Sequence, residues 1–162
     1  MYILDANVFI SAHRQYYSFD FAPSFWEALE KSAQRSVICS IDKIKEELMC
    51  AKEPDELHEW SGNSFREYFE DTDSDDVLDA YAELQVWANS SDHFLPEAKS
   101  EFASNADAWL IAYAKARGGT LVTHEANNPA KRNRILIPVA CENFNVPYVN
   151  TFDMLRELGV KL

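Results

Sequence analysis

Four acidic side chains occupy positions from which they could surround a cation: Asp5, Glu47, Asp107 and Glu125. Asp5 lies between two apolar stretches, residues 2–4 and 8–10, so its carboxylate is predicted to be buried. A buried carboxylate must be hydrogen-bonded, paired or bound to a cation, because burying an uncompensated charge is very costly. At the carboxyl end of a parallel strand, Asp5 would stand where open α/β sheets bind their ligands. The alternative is that Asp5 or Asn7 only caps the following turn.

Helical geometry selects the second acid. The apolar residues of the helix predicted over residues 41–48 lie within a narrow arc: Ile41, Ile44 and Leu48. Glu47 lies about 90° from the centre of that arc and Glu46 about 170° from it. Glu47 therefore borders the buried face and can turn into a cleft, whereas Glu46 is predicted to point to solvent. The alternative is that both are solvated helix acids.

The other two acids also have purely structural interpretations. The pattern Ser104-x-x-Asp107 is close to a capping box, and an acid suits the first turn of a helix. Glu125 follows the apolar strand predicted over residues 120–123, and it could be an ordinary loop acid. Capping and cation binding do not exclude each other, because either role leaves the carboxylate at the carboxyl edge of the sheet.

Carboxylates gathered at strand ends, with water completing the shell, are how proteins hold Mg²⁺ or Mn²⁺. One or two such ions can activate water and stabilise the attacking and leaving oxygens at phosphorus. A zinc site is not favoured, because no second His or Cys stands at ligand spacing from His124. The acidic run from Asp71 resembles an EF-hand loop, but Asp76 replaces the required Gly and Ala82 the required Glu.

The predicted elements alternate between strand and helix. Strands are predicted over residues 2–4, 36–40, 120–123 and 146–149. Helices are predicted from Pro23, over 41–48, 55–69 and 77–88, from Pro96, from Ser104 to Gly118, and from a Thr151 cap to Leu158, while residues 135–139 are a short strand or irregular. This alternation predicts one α/β domain over residues 1–162, a three-layer α/β/α sandwich with a central parallel sheet.

Composition limits the function classes. The net charge of −12, from 15 basic and 27 acidic residues, disfavours broad binding to the nucleic-acid backbone. It suits a carboxylate metal site or a basic protein partner. Three cysteines without a CxxC pair, no signal peptide and no run of about 20 apolar residues predict a reduced, cytoplasmic protein that does not enter a membrane.

Four segments together resemble the PIN-domain family of metal-dependent ribonucleases: Leu4–Ile10, Ile41–Leu48, Asp107–Ala114 and Leu121–Glu125. They resemble, in order, the family's first-strand motif, its acid before Leu, its Asp opening an Ala-rich helix, and its strand ending in Thr, any residue and an acid. The size is similar to that of VapC-like toxins of type II toxin–antitoxin pairs. Residues 16–21 and 150–155 resemble a stand-alone bacterial branch of such proteins.

The resemblance implies an endoribonuclease that hydrolyses RNA phosphodiester bonds with Mg²⁺ or Mn²⁺. It assigns both metal binding and catalysis to the same side chains: Asp5, Glu47, Asp107 and Glu125. Asn7 and Thr123 would support the site, and a small antitoxin and a homodimer are the implied partners. Two departures are the Glu at position 125, where Asp is commoner, and the acidic stretch between the second and third motifs. The alternatives are an inactive PIN-like module that binds a partner, and a nuclease or phosphatase acting on another phosphoester.

Two further groups are candidates for contacts with substrate or partner. The basic side chains near the last acid could contact substrate phosphate, or belong to a solvated loop: His124, Lys131, Arg132 and Arg134. The aromatic segment near the N-terminus could anchor a partner, although core packing is the commoner fate of such residues: Tyr16, Tyr17, Phe19 and Phe21. A cluster of acids would attract a basic partner that inserts a cation near Asp5 and Asp107.

Overall fold

A computed structural model describes residues 1–50 and 52–162 of the chain. Within those residues, five strands form one parallel sheet in the order β3-β2-β1-β4-β5. The strands are β1 (Tyr2–Leu4), β2 (Ile38–Ile41), β3 (Phe69–Glu70), β4 (Thr120–Val122) and β5 (Tyr148–Val149). All four residues of β2 are buried, which requires that helices cover both faces of the sheet. The predicted α/β/α sandwich with a central parallel sheet is confirmed.

The helices connect the strands and form the outer layers. They are α1 (Ala6–Ser11), α2 (Pro23–Gln34), α3 (Asp42–Met49), α4 (Glu56–Gly62), α5 (Asp75–Ser90), α6 (Pro96–Ser104), α7 (Asp107–Arg117), α8 (Ile137–Asn143) and α9 (Thr151–Glu157). A π-helical turn over Ala12–Tyr16 continues α1, and a 3-10 turn over Arg66–Tyr68 precedes β3. In the described part of the chain, no helix is both long enough and apolar enough to span a lipid bilayer.

The direction of chain growth reverses between β1 and β4. From β1 the chain builds β2 and β3 on one side, and it then returns to place β4 and β5 on the other. Leu4 at the end of β1 is in register with Val122 at the end of β4. The residues that follow these two strands therefore lie side by side. In open parallel sheets this reversal leaves a crevice outside the carboxyl ends of the strands, which is where ligands bind.

Two glycines allow β4 to enter the sheet directly after α7. Gly118 ends the helix in the left-handed conformation with φ of 66°, which costs glycine little. Gly119 passes so close to β1 that a Cβ atom would lie 2.7 Å from Ile3 Cδ1 and 3.2 Å from the Met1 carbonyl oxygen. The spacing of β1 and β4, and hence of the side chains at their ends, depends on this close approach.

An aromatic cluster fills the space between α1, α2 and α4. Phe9 of α1 lies 5.9 Å from Trp60 and 5.6 Å from Phe65, measured between ring centroids. Phe19 stacks on Trp26 at 4.0 Å, and Tyr17 stacks on Phe25 at 4.5 Å. Two of the four aromatics considered as partner anchors, Tyr17 and Phe19, therefore pack against the core.

Several predicted elements are confirmed, and some boundaries are wrong. Residues 55–69 do not form one helix: α4 ends at Gly62, and Phe69 pairs with Ser40 to form β3. Residues 135–139 are neither strand nor irregular throughout, because α8 begins at Ile137. The last strand is shorter than predicted, and Asn150 rather than Thr151 caps α9, its Oδ1 accepting from the Asp153 N–H at 2.8 Å. In each case tertiary packing or a neighbouring residue outweighs the local pattern.

Candidate active site

Asp5 is buried, 5% exposed, at the end of β1. Its Oδ1 accepts a hydrogen bond from the Ala6 N–H at 2.7 Å, so Asp5 caps α1 as the structural alternative predicted. Its Oδ2 accepts from the Thr123 hydroxyl at 3.2 Å, across the junction of β1 and β4. The same Thr123 oxygen accepts from the Glu125 N–H at 3.2 Å. Thr123 thereby joins the ends of the first and fourth motifs.

Asp107 opens α7, but the predicted capping box does not form. The Ser104 hydroxyl donates to the Glu101 carbonyl, and the Asp107 N–H donates to Asn105 Oδ1 at 3.0 Å. Because Asn105 takes over the cap, the Asp107 carboxylate is not used for it. It lines a cleft and faces Arg134, whose Nη2 lies 3.4 Å from Asp107 Oδ2.

Both oxygens of Glu125 have partners. Oε1 accepts from Arg134 Nη2 at 2.8 Å, and Oε2 accepts from the Ile137 N–H at 2.7 Å. Glu125 therefore binds the first N–H of α8, where a negative charge is favourable. The sequence did not predict this contact, because it did not predict that a helix begins at Ile137.

Burial and neighbouring negative charge raise the pKa values of two of the carboxyl groups, Asp5 and Asp107. Burial, assisted by the charges of Asp107 and Glu125, raises the pKa of Asp5 to about 7. Burial and the charge of Glu125 raise the pKa of Asp107 to about 6, against the opposing effect of Arg134. Neighbouring acids with raised pKa values are typical of functional sites, and Asp107 lines a cleft.

Glu47 lines a cleft of about 560 Å³ together with Asp107 and Arg134. Partial removal from water raises the pKa of Glu47, and its charge contributes to the raised pKa of Asp107. Glu46 is exposed, as predicted, although it also lines the cleft, and Glu47 is exposed as well. The short helix places both acids at the rim.

The remaining candidate residues lie at different distances from this cluster. Asn7 is exposed, and no side-chain hydrogen bond connects it to the acids within the described ranges. His124 Nε2 lies 2.9 Å from Thr151 Oγ1 at the start of α9, and burial lowers the pKa of His124. The histidine is therefore held on the β5 side of the sheet edge.

The basic residues near Glu125 do not act as one group. Arg134 lies among the acids, with Nε 3.9 Å from Glu101 in addition to its contacts with Asp107 and Glu125. Arg132 Nε donates to the His93 carbonyl at 2.8 Å, and Lys131 is exposed. Arg134, considered from the sequence as a contact for phosphate, neutralises part of the acid cluster in this structure, and a contact with phosphate stays a prediction.

The acids fit a hard divalent cation by their chemistry. Their donor atoms are all carboxylate oxygens, which suit Mg²⁺ or Mn²⁺. Burial, with a further contribution from neighbouring negative charge, raises the pKa values of Asp5 and Asp107. As placed, no three His, Cys, Asp or Glu side chains among residues 1–50 and 52–162 are close enough together to hold a metal ion. Cation binding therefore requires the carboxylates to turn toward one another, and Arg134 is the group that now provides positive charge there.

Comparison with solved structures identifies the fold. The chain is similar to a chain of the VapBC2 complex from Rickettsia felis bound to a DNA fragment from their promoter, with 18% identity, a TM-score of 0.57, and 92% of this chain and 97% of that chain covered. It is also similar to a chain of FitAcB from Neisseria gonorrhoeae, with 16% identity, a TM-score of 0.56, and 94% and 99% covered. These similarities establish a VapC-like PIN fold.

The chain belongs to the family described as "Domain of unknown function (DUF4411)", which matches residues 2–162. No curated protein matches the sequence. The PIN resemblance of the four sequence motifs is thus confirmed as a resemblance of fold, and the activity has to be argued from the site.

Proposed function

We propose that the chain is a Mg²⁺- or Mn²⁺-dependent endoribonuclease. The observation that carries the proposal is the pair of buried carboxylates, Asp5 and Asp107, whose pKa values are raised at the point where the strand order reverses. The negative charge of Glu125 contributes to the raised pKa of both Asp5 and Asp107. Such a cluster is costly for a fold unless it binds a cation.

Some of these residues would bind the metal ion, and others orient the carboxylates that bind it. Asp5, Glu47 and Asp107 would hold the main ion, and Glu125 would complete the cluster or hold a second ion. The Ala6 N–H and the Thr123 hydroxyl fix the orientation of Asp5, while the first N–H of α8 fixes Glu125. When bound, the ion would supply Lewis acidity and a more acidic water molecule for attack at phosphorus. No covalent bond between enzyme and substrate is required.

The biological role we propose is that of the toxin in a type II toxin–antitoxin pair. Support comes from the solved neighbours, which are VapBC and FitAB assemblies. A negative cleft favours a basic partner that inserts a cation near Asp5 and Asp107. Tyr16 and Phe21, which are 45% and 68% exposed, are available as apolar anchors for that partner, and a homodimer is the expected form of the toxin.

A cleavage panel tests the activity. The purified chain is incubated with unstructured RNA, single-stranded DNA and a phosphate monoester, each with Mg²⁺, Mn²⁺ or EDTA. We expect RNA cleavage that requires the metal and that Asp5→Asn abolishes while the circular dichroism spectrum is unchanged. Cleavage of RNA by Asp5→Asn at the wild-type rate would refute the site. Preference for DNA or the monoester would instead establish the alternative phosphoesterase.

One observation favours a second candidate, an inactive partner-binding module. Arg134 already forms ion pairs with Glu125 and Asp107, and it could make the metal unnecessary. Calorimetric titration with Mn²⁺ separates the two. Binding in the micromolar to low millimolar range supports the nuclease, whereas no binding even at millimolar concentration supports the module.

A further inference from the structure

An aromatic side chain forms part of the wall of the acidic cleft. Trp109 lies on α7 two residues after Asp107, it is partly exposed, and it lines the cleft together with Glu47. Tyr81 of α5 supports the ring from behind: the two ring centroids are 3.8 Å apart and the planes are inclined by 13°. The Tyr81 hydroxyl donates to the Ala103 carbonyl at 3.2 Å, which holds the support in place.

A lysine completes this wall. The Lys43 ammonium lies over the Trp109 ring, with Nζ 5.2 Å from the ring centroid. Lys43 and Glu47 are four residues apart on α3, so they share one face of that helix and both line the cleft. A weak cation–π contact and a loose pair with Asp42, at 3.7 Å, hold Lys43, and both can be exchanged for a ligand.

These features match what single-stranded nucleic acid requires. An unpaired base stacks on an aromatic ring, and removing such a ring weakens binding about tenfold or more. The chain carries a net charge of −12, so general attraction to phosphates cannot supply the binding energy. Next to the acids, binding energy can therefore come from stacking on the face of a base and from one lysine that contacts a phosphate.

We infer that Trp109 and Lys43 form a subsite for one unpaired nucleobase of single-stranded RNA and its phosphate, directly beside the reaction acids. The base replaces Lys43 over the Trp109 ring, and the released ammonium pairs with the adjacent phosphate. Tyr81 keeps the ring in the cleft wall throughout. This inference rests on the proposed function, because it names how that site recognises its substrate.

The stacking contact is tested with an abasic substitution. A labelled hexanucleotide RNA and versions with one abasic position are titrated, in Mg²⁺, into the Asp5→Asn chain, and binding is followed by anisotropy. We expect one abasic position to weaken binding about tenfold, in line with the loss of one stacked base. Trp109→Leu should weaken binding of the intact RNA by a similar factor and be insensitive to that abasic position, whereas Trp109→Phe should retain most of the affinity.

The lysine is tested by salt dependence, with a matched control on the same helix. Lys43→Ala should flatten the slope of log affinity against log salt by about 0.7, the value for one phosphate contact on a single strand. Lys45→Ala removes the same charge from a residue that does not line the cleft, and it should leave the slope unchanged. Equal slopes for Lys43→Ala and the parent chain would exclude Lys43 from the subsite.

The outcomes separate this inference from the proposed function. If wild-type chain cleaves RNA but a folded Trp109→Leu binds and cleaves normally, the subsite is refuted and the nuclease stands. If duplex RNA, whose bases are already stacked, binds as tightly as the single strand, the subsite is also refuted. If the chain neither binds Mn²⁺ nor cleaves RNA, the proposed function fails. Weaker binding of the abasic RNA that disappears in Trp109→Leu would still support the subsite, and equal binding of intact and abasic RNA would refute it.

Discussion

At the scale of single residues, the Arg134 guanidinium occupies the position of a counter-ion to the acids. It lies 2.8 Å from Glu125 and 3.4 Å from Asp107, and the charges of these acids raise the pKa of Arg134. A divalent ion bound by the same carboxylates has to compete with it. If the acids bind a divalent ion as proposed, Arg134 should lower the affinity for that ion, while its positive charge reduces the repulsion among the carboxylates in the metal-free fold.

Replacing this arginine should make Mn²⁺ bind more tightly. Arg134→Gln removes a competing positive charge, and we expect the dissociation constant to fall about five- to tenfold, as for a partly exposed ion pair worth about 1 kcal/mol. Calorimetric titration measures the effect. Arg132→Gln is the matched control, since Arg132 lies in the same segment and its guanidinium donates to the His93 carbonyl and not to the acids. Weaker Mn²⁺ binding by Arg134→Gln would show that the guanidinium supports the ion instead.

Asp5 and Asp107 should make the metal-free fold less stable as the pH rises. Their pKa values in the folded chain, about 7 and about 6, exceed the ordinary 3.8, so folding favours the protonated carboxyl. The stabilisation is complete below about pH 4 and is lost as the pH rises through 6 and 7. In EDTA, urea unfolding should give a free energy lower at pH 7.5 than at pH 5 by on the order of 2–4 kcal/mol.

Asp5→Asn provides the control for that pH profile. It removes the group with the higher pKa, so the difference between pH 5 and pH 7.5 should shrink, and Asn should raise stability at pH 7.5. Added Mn²⁺ should stabilise the wild type more than Asp5→Asn at the higher pH, because only the ionised carboxylate binds the ion. An identical profile for both chains would contradict the assignment of the titration to Asp5.

At the scale of elements, the turn between α7 and β4 sets the distance between the motif ends. Gly119→Ala places a Cβ against the fully buried Ile3 side chain and near the Met1 carbonyl. We expect a loss of about 1–3 kcal/mol from overpacking and a disturbed contact between Asp5 and Thr123. Urea unfolding measures the first, and the Mn²⁺ dissociation constant measures the second.

Gly159→Ala is the appropriate comparison for this turn. Gly159 has φ of 68° but open space around its Cα, so alanine there meets only backbone strain of about 1 kcal/mol. Gly159 also lies far along the chain from the acids, so the Gly159→Ala variant should bind Mn²⁺ with the affinity of the wild type. If Gly119→Ala were as mild as Gly159→Ala in both measurements, the close approach of β1 and β4 would not govern the site.

At the scale of the whole molecule, charge and exposed aromatic surface together should select the partner. The acidic cleft favours a basic segment, and Tyr16 and Phe21 lie exposed on the segment that follows α1. Replacing both by Ser should reduce co-purification with the product of the neighbouring gene at least tenfold, because aromatic anchors dominate interface energies. Replacing Leu78 and Val86 by Ser changes two exposed apolar residues of α5, 40% and 66% exposed, and should leave the complex intact.

Two results would contradict this prediction about the partner. A chain that co-purifies with nothing, and that is harmless when expressed alone, would count against the toxin role. Equal loss of the partner in both double variants would place the interface elsewhere, or spread it over a larger surface. The cleavage panel would still decide the nuclease activity on its own.

The sequence by itself determined the architecture and the first acid. The strand–helix alternation and the apolar runs on either side of Asp5 predict a parallel sheet with a carboxylate at a strand end, because burial leaves a chain few other arrangements. The cores of α2, α5 and α7 follow from their apolar periodicity, which depends only on helical geometry. Apolar runs and helical periodicity are properties of residues close together in the chain, so they can be predicted from the sequence alone.

Only the tertiary structure decided how the side chains meet. Glu125 binds the start of α8, Arg134 lies among the acids, and Tyr81 supports Trp109, each through residues brought together from different elements. From the sequence, Arg134 was assigned to a basic cluster and Trp109 to an apolar helix. Neither pattern shows which residues of other elements these two side chains contact. Contacts between distant segments depend on the packing of whole layers, and their energies are set by burial and by neighbouring charges that exist only once the chain has folded.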